Sequence, residues 1–428
     1  MKAYPDYKSS GIDWLGDIPE HWKIAKIGWL FDAKAGGDAK PELYSDIKDD
    51  SHPYPVYTNT LIEHQVYAYS CEALFKAGSI TVTGRGDIGH AFVREEDFDA
   101  IIRLVVLTPR NNQECMYFKY FIDVVIPFFT DSAAVGQLSA SQIIKYHIAV
   151  PPISEQKAIA AYLDDMTGKV DALITEKQKQ VEDLRSYRTS LITETVTRGL
   201  NPNAPFRLSG IDWLGDMPEH WETTKLKYIT SKIGSCVTPK GGSEVYSDEG
   251  ILFIRSQNVY PKGLHLDDPK YISKQIDETM CNTRVYQGDI LLNITGASIG
   301  RCCVYSLPEN ANVNQHVCII RPLPDTINNM FLCYVINSNI GQEQIAMYQT
   351  GGNREGLNFE QLKNFTIPLP SFSEQQAIAE FLDEKTEKID ALISELEKQL
   401  EELAEYKKAV ISEAVTGKVD VRDWKPQN

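Results

Sequence analysis

Few side chains in this chain stand at spacings that could do chemistry. The eight cysteines (Cys71, Cys115, Cys236, Cys281, Cys302, Cys303, Cys318 and Cys333) include no C-x-x-C pair, and the eight histidines show no metal-ligand spacing. They read as core or surface residues, not as a metal site or a disulfide framework. Gly84-x-Gly86-x-x-Gly89 fits the dinucleotide fingerprint in form, but no helical pattern follows it and the acidic partner about 20 residues on is missing. A pyrophosphate-binding turn needs both. Asp87, beside that glycine turn, is the best single carboxylate for a metal-dependent nuclease; its counterpart in the second half is Ala297, which counts against that chemistry. No G-x-x-x-x-G-K-[ST] loop is present, so the chain is not expected to use ATP itself. What remains is a set of forked donors in loop-type sequence: Arg255, Arg284, Arg301, Arg321 and Arg354, in a stretch close to neutral. A guanidinium can engage both acceptors of a guanine edge, and base-edge contacts carry specificity even where phosphate contacts are few.

The elements that would carry such residues are written twice. Ser10–Trp22 reads SGIDWLGDIPEHW and Ser209–Trp221 reads SGIDWLGDMPEHW, identical at twelve of thirteen positions. Pro151–Gly199 and Pro370–Lys418 form a second, longer repeat with about half the positions matching. Between them lie two blocks that match only in skeleton: Gly78-Ser-Ile-Thr-Val runs on to Gly86-Asp-Ile-Gly89, and Gly288-Asp-Ile-Leu-Leu to Gly296-Ala-Ser-Ile-Gly300. Repeats of this length define architecture before any local pattern does.

The longer repeats read as helices. Ile159, Leu163, Met166, Val170, Leu173, Lys177, Val181 and Leu184 step mostly by threes and fours, as do Ile378, Leu382, Ile389, Leu392, Leu396, Leu400, Leu403 and Val410, with one irregular step near Lys177 and Leu396. That is a coiled-coil-like seam. Ser154 and Ser373, each followed by Glu-Gln, signal the starts, and Gly199 and Gly417 the stops. Helices of about 40 residues span roughly 60 Å and need a partner for their apolar stripe; an antiparallel pair would place one variable block at each end about a pseudo-twofold axis. In the variable blocks Ser79–Thr83, Ile101–Leu107, Ile251–Ile254, Ile290–Ile294 and Val317–Arg321 read as strands, and Met116–Val125 and Met330–Ser338 as short helices.

The expected fold is therefore α+β: two mixed α/β globular domains separated by a pair of long antiparallel helices. The segments are 1–22 and 200–221 (short motif, the second with its linker), 23–150 and 222–369 (variable blocks), 151–199 and 370–418 (helices), and a tail at 419–428. At roughly 150 residues per domain, 428 residues accommodate this. A chain 43% hydrophobic and 24% charged is globular, not collagen-like or mostly disordered. No apolar run approaches the ~20 residues of a membrane span, and the N-terminus lacks the apolar core of a signal peptide; a cytoplasmic location is expected. The net charge of −16 argues against tight DNA binding by the isolated chain. Part of the acidic excess lies on the helical blocks, above all the second, and suits a docking surface for basic partners as well as a solvated face.

The duplicated IDWLGD-x-PEHW motif, the duplicated SEQ-x-AIA-x-x-LD-x-x-T helix start and the GDILL…G-x-x-IG segment resemble the specificity subunits of type I restriction-modification systems, over nearly the whole chain. The resemblance implies a non-catalytic subunit. Each variable block would be a target recognition domain reading one half of a bipartite, asymmetric site in double-stranded DNA. The helices would space the domains and dock two adenine-N6 methyltransferase subunits, with motor-nuclease subunits joining for restriction. It implies no cofactor in this chain: S-adenosylmethionine belongs to the methyltransferase, ATP and Mg to the motor-nuclease. Expected base-contacting residues are Thr58, Asn59, Thr60, Arg85 and Gln137 in the first block, and Arg255, Gln257, Asn258, Arg301, Asn353 and Arg354 in the second. Arg suits guanine, and Asn or Gln adenine. Trp14, Trp22, Trp213 and Trp221 are expected as core anchors. The alternatives are the specificity subunit of a methyltransferase-only or related restriction system, a nuclease, or a purely structural coiled-coil adaptor.

Overall fold

A computed structural model describes residues 2–128, 137–235, 246–349 and 356–426. The chain forms two units, Met1–Gln178 with Lys398–Asn428, and Lys179–Glu397. The boundary falls inside each of two long helices, Ile153–Arg198 and Phe372–Val415. Neither these nor any other helix among the described residues is long and apolar enough to cross a membrane.

Each unit is built on an antiparallel four-stranded sheet of the same order. In the first unit it runs Phe31–Ala35, Leu104–Pro109, Ile80–Thr83, Ala91–Val93; in the second, Thr230–Gly234, Val317–Pro322, Ile290–Asn293, Cys302–Val304. Their central strands are buried on both faces, and a helix covers one of them: Cys115–Val124 in the first unit and Asn329–Asn337 in the second. A second small sheet contains one parallel pairing in each unit, Tyr54–Tyr57 with Asp99–Ala100 and Ile251–Ile254 with Ala311–Val313. The apolar run 101–107 is thus not one strand. Asp99–Ala100 belongs to one sheet and Leu104–Pro109 to the other, and the chain turns between them at Arg103, whose φ of 76° is left-handed.

The short repeated motif ties each unit to helix ends. Trp22 is fully buried, and its Nε1 donates to Glu155 Oε2 at 2.9 Å while His21 Nε2 lies 2.7 Å from Glu155 Oε1. In the second unit Trp221 Nε1 donates to Glu374 Oε1 at 3.4 Å, with His220 Nε2 at 2.8 Å. The same indoles pack on the far ends of the helices. A Cβ on Gly417 (φ +74°) would stand 2.4 Å from Pro19 and 3.1 Å from Trp22; one on Gly199 (φ +74°) would stand 3.0 Å from Trp221. Only glycine combines that backbone with that approach. Each unit therefore holds the beginning of one long helix and the end of the other. Trp14 and Trp213 are half-buried against the same cores.

Within the first unit the helices run antiparallel: Lys407 Nζ donates to Asp171 Oδ1 at 2.6 Å and Lys177 Nζ to Gln399 Oε1 at 2.6 Å. Within the second, Arg185 pairs with Glu397 at 2.6 Å and Arg188 with Asp390 at 3.1 Å. The seam differs from the sequence expectation at one step. Leu173 and Leu392 are 47% and 55% exposed, and Ile174 and Ile393 take the inward positions. Val170, Ile174, Lys177, Val181 and Leu184 then step 4-3-4-3, as do Ile389, Ile393, Leu396, Leu400 and Leu403, so the seam is regular through Lys177 and Leu396. The second helix is started by Ser371, not Ser373: Ser371 Oγ accepts from Glu374 N at 3.3 Å and Ser371 N donates to Glu374 Oε2 at 3.1 Å. The reciprocal geometry of a capping box requires that three-residue spacing.

Candidate nucleic-acid interface

In the first unit three loops converge at one end of the sheets: 58–60 after Tyr54–Tyr57, 84–90 between Ile80–Thr83 and Ala91–Val93, and the turn 101–103. They enclose a concavity of about 700 Å³ lined by Thr58, Asn59, Arg85, Gly86, Ile101, Ile102 and Arg103. The loops are held by their own backbones. Gly84 N donates to Arg103 O at 2.9 Å, and Leu138 N to Gly84 O at 2.9 Å. A Cβ at Gly84 would stand 2.6 Å from Arg103 O and 2.8 Å from Leu138 O, so only glycine permits this crossing.

Of the residues expected here from sequence, Thr58, Asn59 and Arg85 line the concavity together. Gln137 is exposed and forms an antiparallel bridge with Arg85. Thr60 lies beside them, with its Oγ1 donating to Gln65 Oε1 at 2.6 Å. Asn59 is not a free reader. Its Oδ1 accepts from Gly84 N at 2.8 Å and Arg85 N at 3.2 Å, and its Nδ2 donates to Arg85 O at 2.8 Å. The amide edge that would match adenine holds the neighbouring loop instead.

The second unit repeats the arrangement. Ile294 N donates to His316 O and Leu357 N to Ile294 O, at 2.9 and 2.8 Å. Gln257 is exposed. Arg301 holds its guanidinium 4.7 Å from the ring centre of Tyr260, which itself stacks on His265 at 4.2 Å. Asn258 is buried: its Oδ1 accepts from Arg255 N at 3.0 Å and its Nδ2 donates to His265 O at 2.9 Å. Arg255 Nη2 donates to Asp268 O at 2.8 Å, and its side chain is only 16% exposed. Both residues brace the loop 255–268: the Asn258 amide is occupied by backbone as at Asn59, and the Arg255 side chain is largely buried with Nη2 committed to Asp268, which departs from the sequence expectation. Asn353 and Arg354 lie outside the described residues.

Arg103, which lines the concavity, and His316, whose carbonyl holds the matching loop of the second unit, are not among the residues expected from sequence. Arg103 was hidden inside an apolar run that reads as a strand; the signal was a lone arginine breaking that run. Asp87 is exposed, and among the described residues no group of three or more His, Cys, Asp or Glu is placed to hold a metal ion. The arrangement offers forked donors and hydrogen-bonding side chains on loops tied together by backbone hydrogen bonds, which suits recognition.

A family profile described as the type I restriction modification DNA specificity domain matches twice, over residues 19–183 and 218–402. The EcoBI specificity subunit of a type I restriction enzyme from Escherichia coli is 26% identical over 329 residues, covering 74% of this chain and 69% of that protein. A putative MjaX specificity subunit from Methanocaldococcus jannaschii is 25% identical over 442 residues, covering 95% and 96%. A solved chain from work on assembly and conformational transition of the type I R-M system superposes with a TM-score of 0.69 at 14% identity, covering 94% of this chain and 99% of that one. The last likeness is one of fold.

Proposed function

The chain belongs to the type I restriction-modification DNA specificity family, and from that premise we propose that it is the non-catalytic subunit that chooses the DNA sequence for a methyltransferase and nuclease complex. One observation carries the proposal: the same loop framework is built twice, once in each unit, under different side chains. Two readers with one framework and unlike surfaces suit a bipartite site with unlike halves. The two long helices would pair along their length as a coiled coil, fix the spacing of the readers, and dock two adenine-N6 methyltransferase subunits on their acidic outer faces. Motor-nuclease subunits would complete the restriction complex in the cytoplasm. The chain would need no cofactor: S-adenosylmethionine, ATP and Mg would act on the partner subunits.

The test is an N6-methyladenine map of host DNA. One strain carries the chain together with its methyltransferase partner, and the other lacks only the chain. Methylation at one split, asymmetric motif that depends on the chain is the expected outcome. Identical maps in both strains would overturn the proposal.

A further inference from the structure

Two positions occupy the same place in both units and carry opposite chemistry. Arg85 is the second residue after Ile80–Thr83, and Arg103 immediately precedes Leu104–Pro109. Thr295 is the second residue after Ile290–Asn293, and His316 immediately precedes Val317–Pro322. The backbone bonds that bring the two loops together are the same in both units: Gly84 N to Arg103 O, and Ile294 N to His316 O, each 2.9 Å. Both loops also bridge to the segment before the long helix, Arg85 to Gln137 and Thr295 to Gly356.

On that shared frame the side chains diverge. In the second unit the two positions bond to each other, with Thr295 Oγ1 2.6 Å from His316 Nδ1. In the first unit both are arginines lining one concavity. Among the described residues neither guanidinium has an ion-pair or hydrogen-bond partner. Arg103 also holds a left-handed backbone, φ 76°, which a non-glycine residue adopts at a cost and keeps where the surroundings enforce it. Two unpartnered guanidiniums on loops joined by backbone hydrogen bonds, in a chain of net charge −16, call for an external acceptor.

We propose that Arg85 and Arg103 are the specificity-determining pair of the first unit, reading guanine edges, and that Thr295 and His316 are the matched pair of the second. The proposal rests on the DNA-reading function above. Guanine is the expected partner because its O6 and N7 take both prongs of a guanidinium. A phosphate anchor is the less suitable role. Phosphate contacts are blind to sequence, so both units would need the same cationic residues, and the second unit carries none at these two positions.

The experiment uses the full chain with its methyltransferase partner and reads the N6-methyladenine motif for wild type, Arg85→Ala, Arg103→Ala and His316→Ala. Arg103→Asn is added because asparagine tolerates the left-handed backbone, and thermal unfolding confirms that each variant is folded. Loss of either arginine is expected to relax a guanine requirement in one half of the motif, by roughly tenfold to a hundredfold in discrimination, with the other half intact. His316→Ala should relax the opposite half. An unchanged motif in folded Arg103→Asn, or methylation lowered equally at all sites with the motif preserved, overturns the proposal while leaving the DNA-reading function standing. Absence of any split motif with wild type overturns that function, and the proposal with it.

Discussion

In the first unit Trp22 and His21 hold Glu155; in the second Trp221 and His220 hold Glu374. In the main sheet of the first unit two hydroxyls pair, Ser79 Oγ and Thr108 Oγ1 at 3.2 Å. In the second the corresponding residues form a bidentate ion pair: Arg321 Nε and Nη2 each reach Asp289 at 2.7 Å, and Asp289 also accepts from Tyr286 N at 2.8 Å. Arg85 and Arg103 against Thr295 and His316 repeat the contrast at the loop tips. The indole clamp touches a helix start and a helix end at once, so no single member can change alone. Pairs within a sheet can change if both partners change together. Loop tips whose backbones bond to one another can carry almost any side chain, because their positions do not depend on it. Divergence is therefore graded by how many elements a side chain serves.

The largest expected effect tests the clamp. Trp22→Ala removes a fully buried indole and one of the hydrogen-bond donors that hold Glu155. A loss of about 3–5 kcal/mol is expected in the first unit, seen as an earlier transition in denaturant. Trp221→Ala should do the same to the second unit, and a clamp that mattered in only one unit would break the comparison.

A smaller effect sharpens the exchanged pair. Asp289 is 2% exposed and Arg321 27%, so Asp289→Ala should cost about 2–3 kcal/mol, below the figure for a fully buried pair because the guanidinium stays partly hydrated. Importing the hydroxyl pair as Asp289→Ser with Arg321→Thr should recover more than half of that in a double-mutant cycle. Strict additivity of the two single changes would show that the positions are not exchanged as a pair.

Along the helices, Ile174→Ala should destabilise by about 1–2 kcal/mol, since the side chain is only partly covered, whereas Leu173→Ala should stay within about 0.5 kcal/mol. The reverse ranking in thermal unfolding would restore the seam through Leu173.

The smallest effect concerns pH. Burial alone would raise the pKa of Glu374, but hydrogen bonds from His220, Ser371 and Trp221 outweigh it and hold the carboxylate below its ordinary value. A lowered pKa stabilises the fold at pH above the unfolded value of about 4.3, and that contribution fades as pH falls through the folded value. Glu374→Gln should therefore flatten the stability of the second unit between about pH 5 and pH 3. Identical pH profiles for wild type and variant would remove the carboxylate from the account.

The sequence by itself determined the duplication, the two long helices with their glycine stops, and the mixed α/β blocks between them, because those rest on repeated residues and on periodicity. It also brought Thr58, Asn59 and Arg85 into one candidate set, and the structure gathers them around one concavity. It mistook the seam at Leu173 and Leu392, where adjacent Leu-Ile pairs leave the inward residue undecided until a partner helix covers one of them. It took Ser373 for the cap over Ser371, since two serines flank the start and only Glu374's reach distinguishes them. What an exposed-looking Asn or Arg does was decided only by tertiary structure. Asn59 has the composition of a base reader, yet backbone groups of the loop at 84–85 occupy its amide. Arg103 has the context of a strand, yet two sheets diverge at that point and turn it outward. Periodicity is local and survives in one dimension; whether a polar group is already satisfied depends on segments far away in the chain, which meet only in the fold.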